Sequence, residues 1–368
     1  WKVVGVTGSV GKTTTKDMLA CALGASYRVH ATRGNFNSVI GLPFTVLSAS
    51  PEDEVLVLEM GMNHAGELTR LSECARPDVA LITNVGTSHI GILGSRENIA
   101  RAKAEILAGM SPTAQGGDLP SCLVMTSDND YSAFIEEEFA KPAGVDVVRV
   151  GASEGCVATA ESLELDDAGM PHFVLRYSDG WSTDVALGVP GRHVVSDFLL
   201  AMVAADRLGE DRETAVQAIA QMKQTHMRLE VVSAPGKPKL IDDSYNASPS
   251  SIAVALDVLC SMSCAGRRVA VLGEVGELGD ESARLHGYIG AYAAAKPLDL
   301  LVLVGTSDAA QMAEAARTMG FSEDKLEMVE DADRAVETIA PILEEDDLVL
   351  VKASRSVGLD AFVKGVLA

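Results

Sequence analysis

Three short runs carry residue types that could do chemistry. The first is Gly8-Ser9-Val10-Gly11-Lys12-Thr13, followed by Thr14, between an apolar run (Lys2 to Val6) and a helical pattern (Thr13 to Leu23). A glycine-rich strand-to-helix turn can aim backbone N–H groups and a helix N-terminus at phosphate, with Lys12 on the outer phosphates and Thr13 on Mg²⁺. The standard loop has glycine at position 6, where this chain has Val6, so the run is a shortened GxxGKT variant. A plain structural turn with a chance Lys-Thr pair is the alternative, and the flanking strand and helix argue against it.

Glu59 closes the apolar run Glu54 to Glu59, and His89 follows the apolar run Val79 to Val85. Open parallel sheets gather ligands at the carboxyl ends of their strands, so a carboxylate there can hold a nucleotide's metal. Either residue alone is an ordinary solvated group, and their convergence with the phosphate loop gives them weight. Lys103 lies four residues after Ile99 and three before Ile106, inside the apolar stripe of its helix. A charged ammonium there is costly unless paired or modified, and the alternative is a lysine that snorkels at the stripe's edge. Carboxylation of its amine would turn it into a metal or phosphate organiser. Further on stand Arg228, the strand-end run Asp242-Asp243-Ser244-Tyr245-Asn246, and Lys352-Ala353-Ser354-Arg355-Ser356, a cationic, hydroxyl-rich run suited to a carboxylate or phosphate.

These residues need a scaffold of a particular kind. Continuous apolar runs of strand length read as parallel strands covered on both faces. Glu97 to Met110 reads as one helix, 111–121 as a loop, and 145–188 as antiparallel strands turning near 167–169 and 178–180. Asp197 to Leu208 and Glu213 to Met222 read as helices. After His226-Met227-Arg228 the rhythm restarts with a hairpin at 235–238, a helix from Pro249, and strands at 269–272, 300–304 and 348–351. The expected fold is α/β: a mostly parallel P-loop sheet domain over 1–227, then a Rossmann-like α/β domain over 228–368.

Composition narrows the function. The chain has 368 residues, and 52 Asp+Glu against 30 Lys+Arg give a net charge of −22, which repels nucleic acid and anionic lipid over most of the surface. An anionic substrate must be held by a local cluster of donors. The six cysteines are scattered without metal-site spacing, as expected for reduced thiols in a cytoplasm, and no apolar run reaches membrane-span length.

Taken in order, TGSVGKTTTK (Thr7 to Lys16), RGNFNSVIGLP (Arg33 to Pro43), EMGMNHAGEL (Glu59 to Leu68), NVGTSHIGILGS (Asn84 to Ser95), ARAKAEI (Ala100 to Ile106), HMRLE (His226 to Glu230), IDDSYNASPSS (Ile241 to Ser251) and KASRS resemble the Mur ligases over nearly the whole chain. NFNS, DDSYNASP and GEVGELG (Gly273 to Gly279) resemble the branch that adds D-Ala-D-Ala to UDP-N-acetylmuramoyl-tripeptide. The resemblance implies ATP-dependent amide formation through an acyl phosphate in peptidoglycan precursor synthesis, serving cell wall biogenesis, cell shape and division in a bacterial cytoplasm. A monomer is expected, with neither nucleic acid nor membrane as partner. By the same resemblance Gly8 to Thr14, with Lys12 on the β/γ-phosphates, would bind ATP. Thr13 and Glu59 would hold one Mg²⁺, His89 a second, and Lys103 would be carbamylated. Arg228 and Asp243 would bind nucleotide from the C-terminal domain, whose closure would complete the site, and His286, Ser354 and Arg355 would line the dipeptide pocket. The family's N-terminal UDP-binding domain is expected to be absent.

Three departures stand out. Asp197 takes the place of an adenine-contacting Asn in GxHNxxN (here Gly191 to Asp197), KASRS replaces KGSRS, and Val275 and Gly276 stand where bulkier residues are usual. A polyglutamate- or cyanophycin-type ligase is a near alternative, and a non-catalytic ATP-binding regulator a distant one. A mere binder has no need of Lys12, Glu59, His89 and Lys103 together.

Overall fold

A computed structural model describes residues 1–113 and 121–368. Most of the expected 111–121 loop lies outside the described residues. The chain divides into two compact units, one of 1–164, 171–188 and 193–222, the other of 165–170, 189–192 and 223–368.

The first unit is built on one sheet: β1 (Lys2–Thr7), β2 (Val29–Ala31), β3 (Val55–Glu59), β4 (Val79–Ile82), β5 (Cys122–Thr126), β6 (Asp146–Val150), β7 (Ala158–Leu165), β8 (Pro171–Tyr177) and β9 (Ser182–Ala186). Its order is β2-β3-β1-β4-β5-β6-β7-β8-β9. The strands from β2 to β7 pair in parallel, and β8 and β9 pair antiparallel. The antiparallel expectation for 145–188 therefore fails at its start, where β6 runs alongside β5 and meets β7 in parallel. The winding reverses about β1, so the crevice that such sheets use for ligands opens at the carboxyl ends of β1, β3 and β4. Every residue of β3 and β4 is buried, as parallel strands covered on both faces require.

The second unit holds β10 (Glu230–Val232), β11 (Lys239–Asp242), β12 (Arg268–Gly273), β13 (Leu300–Val304), β14 (Leu326–Val329) and β15 (Leu348–Lys352), ordered β10-β11-β15-β12-β13-β14. Only β10 with β11 is antiparallel. Valines of β12, β13 and β15 pack with Phe362 and Leu359 into its core. The helix Pro249–Ser261 starts as its sequence says it should: Ser248 caps it in a reciprocal box with Ser251, and Pro249 occupies a position whose N–H would have no helical partner. Among the described residues no helix is long and apolar enough to cross a membrane, and all six cysteines are free.

Two elements stop earlier than expected, each because a side chain is needed elsewhere. β4 ends at Ile82, since Thr83 and Asn84 turn to bond the phosphate loop. The helix expected over 97–110 is Arg96–Ala104 followed by a tighter 3₁₀ turn, Glu105–Gly109. There the Glu105 carboxylate accepts the N–H of Gly66 at 2.8 Å and of Thr69 at 3.2 Å, capping the helix Glu67–Ala75. An acceptor at a helix N-terminus contributes about 1 kcal/mol. Glu105→Ala is expected to lower the unfolding free energy by about that amount, read as a lower urea midpoint at unchanged m-value.

Candidate active site

Lys12 begins the helix Lys12–Leu23 behind Gly11, which caps it in a left-handed conformation (φ 86°). The first-turn N–H groups of a helix have no partner within it and point outward, which suits them to phosphate oxygens. Gly11, Lys12, Thr13 and Thr14 are all half-exposed there, and Lys12 Nζ donates to the Gly8 carbonyl at 2.8 Å.

Glu59, at the end of β3, is 3% exposed. Its Oε2 accepts the Thr13 hydroxyl at 2.9 Å and its Oε1 the Asn37 amide at 2.8 Å, while its own N–H is fixed to Thr32 Oγ1 at 2.9 Å. Thr13 and Glu59 thus stand in contact beside the phosphate loop. Hard oxygen donors with few protein ligands suit Mg²⁺, which keeps waters and phosphate oxygens in its shell, so these residues fit the metal. Among the described residues there is no group of three or more His, Cys, Asp or Glu that could hold a metal alone. His89 is half-exposed in a left-handed conformation (φ 64°) and opens the short helix Ile90–Leu93.

Lys103 is 2% exposed. Burial first, and the nearby Lys12 ammonium second, push its amine well below the ordinary lysine range. The structure therefore places Lys103 within electrostatic reach of Lys12 and favours a neutral, nucleophilic amine.

Asp197 falls inside the helix Val194–Arg207, three residues past its start, and packs against the phosphate loop. Its Oδ1 accepts Thr15 Oγ1 at 3.1 Å, and a Cβ on Gly11 would come within 2.3 Å of that oxygen. Burial raises its pKa to about 8, against the weaker pull of Thr15. At neutral pH the group is a carboxylic acid, offering one O–H and one C=O much as an asparagine amide offers a donor and an acceptor.

In the second unit Arg228 stands between two residues of positive φ, Met227 (58°) and Leu229 (52°). Bulky side chains held left-handed cost about 1–3 kcal/mol each, and such strain collects at functional sites. The Arg228 guanidinium lies 4.3 Å from the centre of the Tyr245 ring, and that of Arg355 lies 6.0 Å from it. Asp243 is tied inward: Oδ2 meets Lys352 Nζ at 2.6 Å and Oδ1 accepts the Leu229 N–H at 3.3 Å.

Two expectations need correction here. Lys352 adds nothing to a surface patch, because it is 1% exposed and spent on Asp243 and the Asn246 carbonyl. His286 is fully buried and cannot line a pocket. Its Nε2 accepts the Val275 N–H at 2.9 Å, which leaves the proton on Nδ1, donated to the Ser282 carbonyl at 2.9 Å. Ser354 does related work, its Oγ accepting the Gly276 N–H at 2.8 Å, and Arg355 remains the exposed cation of that run. Sequence reasoning left Asn37, Asn84 and Tyr245 without roles, although each lies in a motif it singled out. For Asn84 and Tyr245 the signal was a position two or three residues past an apolar strand, while Asn37, in the loop after β2, carried no such signal.

Residues 6–205 match the Mur ligase middle domain, and 227–355 the Mur ligase glutamate ligase domain. The chain belongs to the Mur ligase family. The UDP-N-acetylmuramoyl-tripeptide–D-alanyl-D-alanine ligase of Bacillus subtilis is 35% identical over 373 residues, covering 100% of this chain and 76% of the relative. The Escherichia coli enzyme of the same name is 30% identical over 368 residues, covering 99% and 76%. Among solved structures, MurF from Acinetobacter baumannii superposes with a TM-score of 0.88 at 32% identity, covering 100% of this chain and 76% of that one. MurF from Thermotoga maritima in complex with ADP gives 0.82 at 26% identity, covering 99% and 79%.

Asp197 gives this Mur ligase a titration its stability must follow. Between about pH 4 and about pH 8 the folded chain keeps a proton there that the unfolded chain has released, so stability falls as pH rises through that window. Asp197→Asn is expected to flatten that part of the pH–stability curve. Thermal unfolding should show the variant gaining a few degrees at about pH 9 and nothing at about pH 4.

Proposed function

We propose that the chain is an ATP- and Mg²⁺-dependent ligase that joins D-Ala-D-Ala to UDP-N-acetylmuramoyl-tripeptide in the bacterial cytoplasm, acting as a monomer. The observation that carries this reading is the contact of Thr13 with Glu59 beside the phosphate loop, in a chain matched along its whole length by enzymes of that name.

Phosphate oxygens are received by the first-turn N–H groups and by Lys12, which exchanges the Gly8 carbonyl for them. Thr13 and Glu59 would hold Mg²⁺, and Asn37 fixes the Glu59 carboxylate by occupying its other oxygen. A bound Mg²⁺ neutralises charge on the phosphoryl group in transfer. The acceptor's terminal carboxylate attacks the γ-phosphorus, and ADP departs with the electrons of the broken P–O bond. The dipeptide amine then attacks the acyl carbon, orthophosphate leaves, and the amine loses a proton. His89 would hold a second Mg²⁺. Burial shifts the Lys103 amine toward its neutral form, the form that takes up CO₂ as a carbamate, whose negative charge would offset Lys12. Within the second unit, Arg228 and Arg355, set about Tyr245, offer two cations to an anionic ligand such as a phosphate or carboxylate.

Incubation with ATP, Mg²⁺, UDP-N-acetylmuramoyl-tripeptide and D-Ala-D-Ala is expected to yield a mass equal to acceptor plus dipeptide minus water. Absence of that product with ATP binding intact would sink the assignment. Lys103→Ala is expected to cut the rate by about a hundredfold or more, with partial rescue by short carboxylic acids. Unchanged ligation in the variant would remove Lys103 from the machinery.

A further inference from the structure

Two backbone donors of the phosphate loop converge on one side chain. Asn84 stands two residues past β4, and its Oδ1 accepts the N–H of Ser9 at 3.0 Å and of Val10 at 2.9 Å. The Asn84 carbonyl lies 3.1 Å from the same Ser9 nitrogen. Around it, the Gly86 N–H donates to Ser9 Oγ at 2.9 Å, Ser88 Oγ to the Ser9 carbonyl at 3.3 Å, and Thr83 Oγ1 to the Val10 carbonyl. A Cβ on Gly8 would come 1.8 Å from Thr83 Oγ1, so the two segments touch there and only glycine fits. On its far side the segment is anchored through the Val85 carbonyl, which accepts Arg96 Nη2 at 2.9 Å and Asn129 Nδ2 at 3.3 Å. Arg96 is itself locked in a two-pronged pair with Asp130.

The chain that bonds the phosphate loop in this way runs on directly to His89. We infer that Asn84 is a positioning residue that fixes the phosphate loop to the segment bearing His89, so that phosphate binding and the placement of His89 are set by one hydrogen-bonded unit. This rests on the nucleotide reading proposed above. The position calls for an uncharged acceptor. An aliphatic side chain would leave the Val10 N–H without its acceptor and the Ser9 N–H with the Asn84 backbone carbonyl alone, free to turn the loop away from the shape the phosphates need. A carboxylate would accept both N–H groups but set a negative charge beside the polyphosphate.

That difference separates positioning for phosphate from a role in folding alone. Titration calorimetry with Mg-ADP and with adenosine, alongside thermal unfolding, is run on the wild type, Asn84→Ala and Asn84→Asp. Asn84→Asp is expected to melt with the wild type, keep its adenosine affinity, and lose about tenfold or more in Mg-ADP affinity. Asn84→Ala, where folded, is expected to lose about tenfold in Mg-ADP affinity with adenosine again unchanged, and its KM for ATP rises more than its kcat falls. Either folded variant binding Mg-ADP within about twofold of the wild type overturns the inference, since a lost hydrogen bond in the one and a negative charge beside the phosphates in the other should each exceed that. A wild type that binds no Mg-ADP fails at the nucleotide reading itself, before Asn84 is tested.

Discussion

The first unit is organised around a buried carboxylate. Glu59 is almost sealed from water, and among the described residues its partners are a hydroxyl and an amide. Taking a carboxylate out of water is tolerable only when its oxygens are hydrogen-bonded, and it stays chemically hungry when those donors are neutral. That requirement reaches far along the chain. Thr13 must stand at the mouth of the phosphate loop, Asn37 must lie in the loop after β2, and Thr32 must hold the Glu59 N–H so that the side chain emerges at the strand's end. Parallel pairing of β3 with β1 brings Glu59 level with Val6, two residues before the loop begins. A divalent cation is the natural complement of such a group, since it supplies the charge that the protein withholds.

The second unit solves a related problem with backbone donors. Glu274 Oε1 accepts the N–H groups of Thr306, Asp308 and Ala309 at 2.8, 3.1 and 3.2 Å, where the helix Ser307–Thr318 concentrates partial positive charge. His286 and Ser354 take the next two N–H groups along the chain, those of Val275 and Gly276. The segment after β12 is thus held residue by residue, although it has no regular secondary structure there. The ion pair of Lys352 with Asp243 fixes the neighbouring loop in the same manner, and burial makes breaking it from one side costly.

The architecture was legible because periodicity encodes it. Continuous apolar runs announced the parallel strands, and the Gly-Lys-Thr turn announced the helix behind β1. Side-chain destinations were less legible, because they depend on partners far off in sequence. Nothing local says that Glu105 will leave its helix to cap another 39 residues away, or that His286 will turn inward to a loop. The Lys352 run looked like a surface patch because its composition is polar, yet β15 carries Lys352 into the core side of the sheet, where Asp243 waits. Asn37 and Asn84 were visible as residues and invisible as partners, since their acceptors and donors lie 22 and 75 positions away.

Departures from the family pattern gain meaning from the same geometry. An aspartate in place of an asparagine would be a harsh change on a solvated surface, but the Asp197 site removes most of the difference by keeping the proton on. A neutral acid and an amide present comparable hydrogen-bonding edges, so the phosphate loop meets a familiar neighbour. The alanine in KASRS is accommodated in a similar way. Ala353 is fully buried, and its Cβ occupies the volume that a side chain on Gly273 would claim, at 2.6 Å from where such a Cβ would sit. The methyl just past β15 and the glycine that ends β12 are therefore a matched pair, and the methyl at 353 is compatible with residue 273 only while that residue has no side chain. Gly276 differs in kind, because a Cβ there would meet only Ser354 Oγ at 3.8 Å, an ordinary contact. Sterics do not demand glycine at 276, so its side chain was free to vanish without disturbing the N–H that Ser354 holds.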